Sequence, residues 1–198
     1  EQLPPVSTWG KNAIIVPLAK SRNENPYGNN LFRVLAAEDQ TEVYIDGVRV
    51  TTLNSGGYYE GILNKAMFIT ASKPILVGVF KKTVGASGDT RVGDPFFLVM
   101  PPIEQYMNNY RVINVQIYEG NVWPVYLEQY ISIIIPKSHW QSFRLDGSPL
   151  LPGNIVNINS VDYVYAIISV TDGVHYAEAD TTFGIIIYGY GNANSYGY

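Results

Sequence analysis

Two Asp-Gly pairs, one in each half of the chain, constrain this sequence more than any other feature. Val43-Tyr44-Ile45-Asp46-Gly47 and Ser142-Phe143-Arg144-Leu145-Asp146-Gly147 each end an alternating apolar segment on Asp-Gly, and a new segment starts at once. This is the signature of a β-hairpin, because Asp and Gly tolerate the positive φ angles of a two-residue turn. A 198-residue chain with that signal once per half is expected to be two β-units in tandem. Other blocks repeat in the same order. Leu31-Phe32-Arg33-Val34-Leu35-Ala36-Ala37 aligns with Ile131-Ser132-Ile133-Ile134-Ile135-Pro136, and Gly57-Tyr58-Tyr59-Glu60-Gly61-Ile62-Leu63 with Asp162-Tyr163-Val164-Tyr165-Ala166-Ile167-Ile168. Each half closes on a buried-looking strand, Ile75-Leu76-Val77-Gly78-Val79-Phe80 and Gly184-Ile185-Ile186-Ile187-Tyr188.

Helical periodicity is nearly absent. Apolar runs rich in Val, Ile, Tyr and Phe, bounded by Gly, Pro, Asn and Asp, predict strands near 12–18, 31–37, 41–46, 48–53, 57–63, 67–70 and 74–81. In the second half they fall near 95–100, 111–118, 124–127, 129–135, 141–146, 155–158, 163–170, 173–179 and 183–190. Pro101-Pro102 followed by Ile103-Glu104-Gln105-Tyr106-Met107 predicts one helical turn, placed where a linker between halves belongs. The expected fold is all-β: two tandem β-sandwich (jelly-roll-like) units related by internal duplication and packed side by side, over 1–100 and 101–198. The run Ile131 to Ile135 calls for cover on both faces, from the neighbouring sandwich or from another subunit.

Composition narrows the partners. Charged residues make up 15% of the chain, well below the usual quarter, and the net charge of −4 is unclustered, which argues against nucleic acid. Lys81-Lys82, the one adjacent basic pair, reads as a solvated strand end. The absence of cysteine removes thiolate and disulfide chemistry without fixing the compartment. No apolar run approaches the roughly 20 residues of a membrane-spanning helix. The chain opens on Glu1-Gln2-Leu3-Pro4-Pro5 with no signal peptide, so an extracellular location would imply a removed leader.

Catalytic motifs are missing. His139 sits in the polar connection Lys137-Ser138-His139-Trp140 and His175 alternates with Val174 and Tyr176, neither beside a nucleophile motif. Walker, dinucleotide and zinc-protease patterns are absent, and no cofactor is expected. Calcium is weighed against the acidic loops at Asp89, Asp94, Asp172 and Asp180, but aspartate in a turn needs no metal, and no ligands are assigned. Glu60, Glu104, Glu119 and Glu128 could supply paired carboxylates for a glycosidase, with nothing to single out two of them.

The opening Glu1-Gln2-Leu3-Pro4-Pro5-Val6-Ser7-Thr8-Trp9-Gly10-Lys11 is not explained by strand periodicity. It resembles the start of the N-terminal domain of the IgG Fc-binding protein family. Phe32-Arg33-Val34-Leu35-Ala36, Ile45-Asp46-Gly47, Lys73-Pro74-Ile75-Leu76-Val77 and Gly93-Asp94-Pro95-Phe96 continue the resemblance in order. So do Pro101-Pro102-Ile103-Glu104-Gln105-Tyr106, Leu145-Asp146-Gly147 and Tyr188-Gly189-Tyr190 through to Tyr198. The resemblance implies a non-enzymatic β-domain of secreted or surface-attached proteins, with no catalytic residue to transfer and no mapped Fc contact. Cysteine-rich modules, which follow the domain in large mucin-like members, are not seen, and a gel-forming role is not expected. The expected function is an extracellular structural or adhesive protein that self-associates into a fibre or surface assembly, through strand edges and extended termini. The alternative is a monomeric adhesin for a glycoprotein or glycan. Trp123, Trp140, Tyr190, Tyr196 and Tyr198 are the candidate interaction residues, though a buried core role competes for each tryptophan.

Overall fold

The computed structural model describes residues 3–20, 30–82, 93–120 and 123–198, and the described chain is all-β with four short 3-10 turns. The first half forms β1 (Gly10–Ile15), β2 (Asn30–Ala36), β3 (Thr41–Ile45), β4 (Val48–Leu53), β5 (Tyr58–Leu63), β6 (Met67–Lys81) and β7 (Phe96–Met100). The second half forms β8 (Met107–Asn114), the small hairpin β9 (Tyr118–Glu119) and β10 (Trp123–Pro124), then β11 (Tyr126–Pro136), β12 (Arg144–Leu145) and β13 (Ser148–Pro149). It closes with β14 (Val156–Asn157), β15 (Tyr163–Val170), β16 (Gly173–Gly191) and β17 (Asn194–Gly197).

Apart from the β9–β10 hairpin, each half is one antiparallel sheet curled around its longest strand. The segments expected as pairs, 67–70 with 74–81 and 173–179 with 183–190, are single strands of 15 and 19 residues. The first part of β6 pairs with β1 and β3, and its later part with β2 and β7. β16 does the same with β8 and β12, then with β11 and β17. The curl brings the two parts of each sheet face to face. Val43 and Ile69 share a core with Phe32, Val34, Val77 and Val79 in the first half. In the second, Phe143, Leu145 and Ala177 meet Ile131, Ile133, Ile185 and Ile187.

Register matches strand by strand, which is the pattern an internal duplication predicts. Leu31 opposite Phe80 corresponds to Tyr130 opposite Tyr188, and Leu35 opposite Leu76 to Ile134 opposite Gly184. The alignment read from sequence was therefore one residue off here, since Leu31 matches Tyr130 and not Ile131. At β5 it was two off, because Leu35 faces Tyr58 as Ile134 faces Tyr165. Continuous apolar runs carry no alternation to fix the phase. A further repeat hides in the supposed linker. Leu3-Pro4-Pro5-Val6-Ser7-Thr8-Trp9 and Met100-Pro101-Pro102-Ile103-Glu104-Gln105-Tyr106 both fold as Pro-Pro, one 3-10 turn (Val6–Thr8 and Ile103–Gln105), then an aromatic residue.

The Asp-Gly turns share their backbone geometry and their bond to the long strand. Asp46 and Gly47 have φ of 52° and 80°, Asp146 and Gly147 51° and 78°, the left-handed values of a type I′ turn. Asp46 Oδ1 accepts the Phe68 N–H at 2.9 Å, and Asp146 Oδ1 accepts the Tyr176 N–H at 2.8 Å. Each aspartate thus both forms its turn and pins it to the long strand.

The halves meet through the second sheet, whose central strands are buried on both sides. Ile131, Ile133 and Ile135 face their own core, while Ile134, Ile186, Tyr188 and Tyr190 belong to the core of the first half. The cover comes from the same chain, so these strands alone give no reason to require another subunit. The Ala19 N–H donates to the Tyr188 hydroxyl at 2.8 Å, and the Tyr190 hydroxyl donates to the Ala19 carbonyl at 2.9 Å. Ser132 Oγ lies 3.0 Å from the same Tyr188 oxygen. Ser160 Oγ donates to Asp46 Oδ1 at 2.6 Å, and Glu104 accepts the Lys11 N–H and the Asn12 side chain.

Removing a hydroxyl from this buried junction strands its partners. Tyr188→Phe is expected to lower the unfolding free energy by about 1–3 kcal/mol. Urea denaturation beside the exposed control Tyr58→Phe checks this, the control shifting by less than about 0.5 kcal/mol.

Candidate binding face

The outward face of the first sheet carries an exposed aromatic and apolar surface around one arginine. Strand alternation puts Leu31, Arg33 and Leu35 of β2 on this side, next to Tyr58, Glu60 and Ile62 of β5 and to Leu76, Gly78 and Phe80 of β6. The Arg33 guanidinium lies 4.9 Å from the Tyr58 ring centre and 5.0 Å from that of Phe80, held between two aromatic faces. Its Nε donates to Glu60 Oε2 at 2.8 Å, which fixes the fork in place. Phe97 of β7 packs on Phe80 with ring centres 4.7 Å apart. It lies directly over Gly78, where a side chain would collide with its ring. Leu3, Leu35 and Leu76 complete a shallow, largely apolar hollow of about 220 Å³. Tyr58 is 56% exposed there, so the stack faces solvent.

The residues singled out from sequence are scattered. Trp123 is 73% exposed on the β9–β10 hairpin, beside a hollow of about 480 Å³ lined by Pro124, Val125, Leu127, Asn192 and Asn194. Trp140 is half-buried against the second core. Tyr190 is fully buried at the junction of the halves, with the Lys81 ammonium 5.5 Å from its ring. Tyr196 is partly buried, its hydroxyl accepting the Val115 N–H at 3.1 Å and bonding to Asn114 and Gln129. Burial and the neighbouring tyrosine rings push that phenol up to about 12, against the pull of its hydrogen bonds. Tyr198 exposes half its surface, while its backbone pairs with Ile187 and its hydroxyl with the Ile113 carbonyl. The tail is therefore a sheet strand. The start is folded in as well: Trp9 Nε1 donates to the Pro4 carbonyl at 3.0 Å, and Gln105 bonds the Thr8 carbonyl.

Sequence reasoning missed Arg33, Tyr58, Phe80 and Phe97. The available signal was the arginine among apolar residues in β2, which alternation alone would have placed facing outward. The weighed carboxylates are engaged separately: Glu60 with Arg33, Glu104 with Lys11, Glu128 with the Tyr130 hydroxyl. Asp89 and the side chain of Glu119 lie outside the described residues. Among those residues no cluster of three metal-binding side chains occurs.

His175 is buried, with Nδ1 2.7 Å from Asp146 Oδ2 and Nε2 3.0 Å from the Thr171 carbonyl. Burial pulls the Asp146 carboxyl upward, but the bonds from His175 and the Tyr176 N–H outweigh it and leave it below its ordinary value. Asp46 is lowered in the same way, burial being outweighed by Ser160, the Phe68 N–H and Lys65.

The model of the family described as IgGFc binding protein matches residues 1–189. This chain belongs to that family. Members of the IgGFc-binding family are extracellular or surface-associated, and no helix among the described residues is long and apolar enough to cross a membrane. Compared with curated protein sequences, the chain has no significant match. Among solved structures, the anti-sigma factor domain-containing protein from Clostridium clariflavum aligns over 94% of this chain and 80% of its own, at 10% identity. Its TM-score of 0.20 is too low to carry any argument.

A depressed folded pKa means that the unfolded chain takes up protons first as pH falls. The stability supplied by Asp46 and Asp146 is therefore complete above the unfolded aspartate value of about 3.9, and is lost as pH drops through the lower folded values. Melting temperature measured from about pH 5 to about pH 2 is expected to fall less steeply for Asp146→Asn than for the wild type. Parallel curves would show that Asp146 does not carry this dependence.

Proposed function

We propose that this IgGFc-binding family member is a non-enzymatic extracellular structural or adhesive module that works by associating with copies of itself, with 1–100 and 101–198 acting as two units of one domain. The observation that carries the reading is the Arg33–Tyr58–Phe80–Phe97 face. An arginine clamped between aromatic rings, amid exposed leucine and tyrosine, is the composition of protein-interface centres, and it costs little ordering entropy because Glu60 already holds it. Leu3 to Trp9 packs as a 3-10 turn with its flanks and Asn194–Gly197 pairs with β16, so the reading rests on a sheet face and not on trailing segments. The mild, unclustered charge offers no tracking surface for nucleic acid.

Static light scattering on the intact chain tests this. The weight-average mass is expected to rise with concentration, and a monodisperse monomer at high concentration would overturn the proposal. The second reading is a monomeric adhesin, favoured by Trp123 beside the amides of Asn192 and Asn194, an aromatic platform with hydrogen-bonding groups at its rim. It predicts glycan or glycoprotein binding that Trp123→Ala reduces at least tenfold, with no change in mass. A glycan array without hits would decide against it.

A further inference from the structure

Matched registers give each residue of the first outward face a counterpart in the second. Arg33, Leu35, Gly78, Phe80 and Tyr58 correspond to Ser132, Ile134, Ile186, Tyr188 and Tyr165. Ser132, Ile134, Ile186 and Tyr188 are each 2% exposed or less, because the first half of the chain covers them. Among the described residues, no second unit covers the first-sheet counterparts. One backbone surface is thus an internal junction in one unit and, among those residues, an open face in the other.

The element that provides the cover is repeated too. In the first half it is the end of β1 and the residues after it, with Val16 and Leu18 in the shared core and Ala19 bonded to Tyr188 and Tyr190. Ile14 faces Phe68 as Arg111 faces Tyr176, so Val16 corresponds to Ile113. Val16 is 1% exposed and Ile113 is 49% exposed. Ala66, which lines the internal junction with Pro17 and Asp46, likewise corresponds to Val174, which is exposed. Ile117, Tyr118 and Leu127 extend the exposed apolar surface on this end.

The entry of the chain into the junction is already built at both places. In the internal junction Tyr106, following Pro101-Pro102, lies over Gly184. In the first unit Pro4 and Trp9, from the matching motif, line a hollow with Leu76, the counterpart of Gly184.

We propose that a second copy of this chain docks the end of its second unit, around Ile113 and Val174, onto the Arg33–Tyr58–Phe80 face, so that the junction inside each chain is reproduced between chains. The two contacting surfaces differ, so the contact is heterologous and leaves one of each surface free at the two ends. Copies add head to tail, and the product is a filament with a quasi-repeat of one β-unit. This inference rests on the self-association reading and specifies its interface.

The test uses complementary defects in the intact chain, Arg33→Glu on the face and Ile113→Asp on the opposing end, each confirmed as folded by circular dichroism. Light scattering is expected to find each variant monomeric under conditions where the wild type forms polymers, an association at least tenfold weaker. An equimolar mixture retains one intact surface of each kind and is expected to stop at a dimer. Variants that polymerise like the wild type, or a mixture that stays monomeric or grows past a dimer, would overturn the head-to-tail junction while self-association stands. A wild type that never leaves the monomer overturns both. Tyr58→Lys with Val174→Lys repeats the experiment should either first substitution prevent folding.

Discussion

The central pair of the second sheet, β11 and β16, has apolar side chains on both faces, and burying both is the constraint the rest of the molecule satisfies. A sheet with one apolar face can stand against water on the other. Here Ile131, Ile133, Ile185 and Ile187 demand one core while Ile134, Ile186 and Tyr188 demand another. The curled second sheet closes the first, and the first half of the chain closes the other. Tyrosines suit that shared surface because their rings fill the apolar space while their hydroxyls satisfy backbone groups, as Tyr188 and Tyr190 do at Ala19.

Identical pairing can then support different surfaces through few side-chain changes. Where the covered sheet has Ser132, the open one has Arg33, too long and too strongly charged to enter a dry junction without a fixed partner. Glu60 and two rings give it one at the surface. Gly78 in place of Ile186 lets Phe97 lie flat, so the open face is broad and shallow where the covered one is studded.

Much of the fold was legible because hairpin turns are local. Asp46-Gly47 and Asp146-Gly147 announced both hairpins, and the strands fell near their expected places. The Ile131–Ile135 run also announced its double burial. What sequence lacked was phase: runs such as Ile133-Ile134-Ile135 slide past one another without penalty, so the repeat was aligned one or two residues out. The breaks at Pro74 and at Asp180-Thr181-Thr182 looked like turns, yet they are bends at which one strand changes partners. The face around Arg33 escaped notice because its members come from β2, β5, β6 and β7, brought together only by the curl. The aromatic residues that stood out in sequence went largely to packing, Tyr190 and Tyr196 to the junction and the tail.

The bond between Ala19 and Tyr190 joins positions 171 residues apart. The core of the first unit includes Ile186, Tyr188 and Tyr190, and so it cannot close until nearly the whole chain has been made. Most multi-unit chains complete their first unit while the second is still being synthesised. Here the core of the first unit is completed only by residues of the last long strand, contacts of long sequence separation of the kind that form slowly. Late completion of that core leaves the early strands extended for longer, which suits passage through a membrane in a family whose members are extracellular or surface-associated.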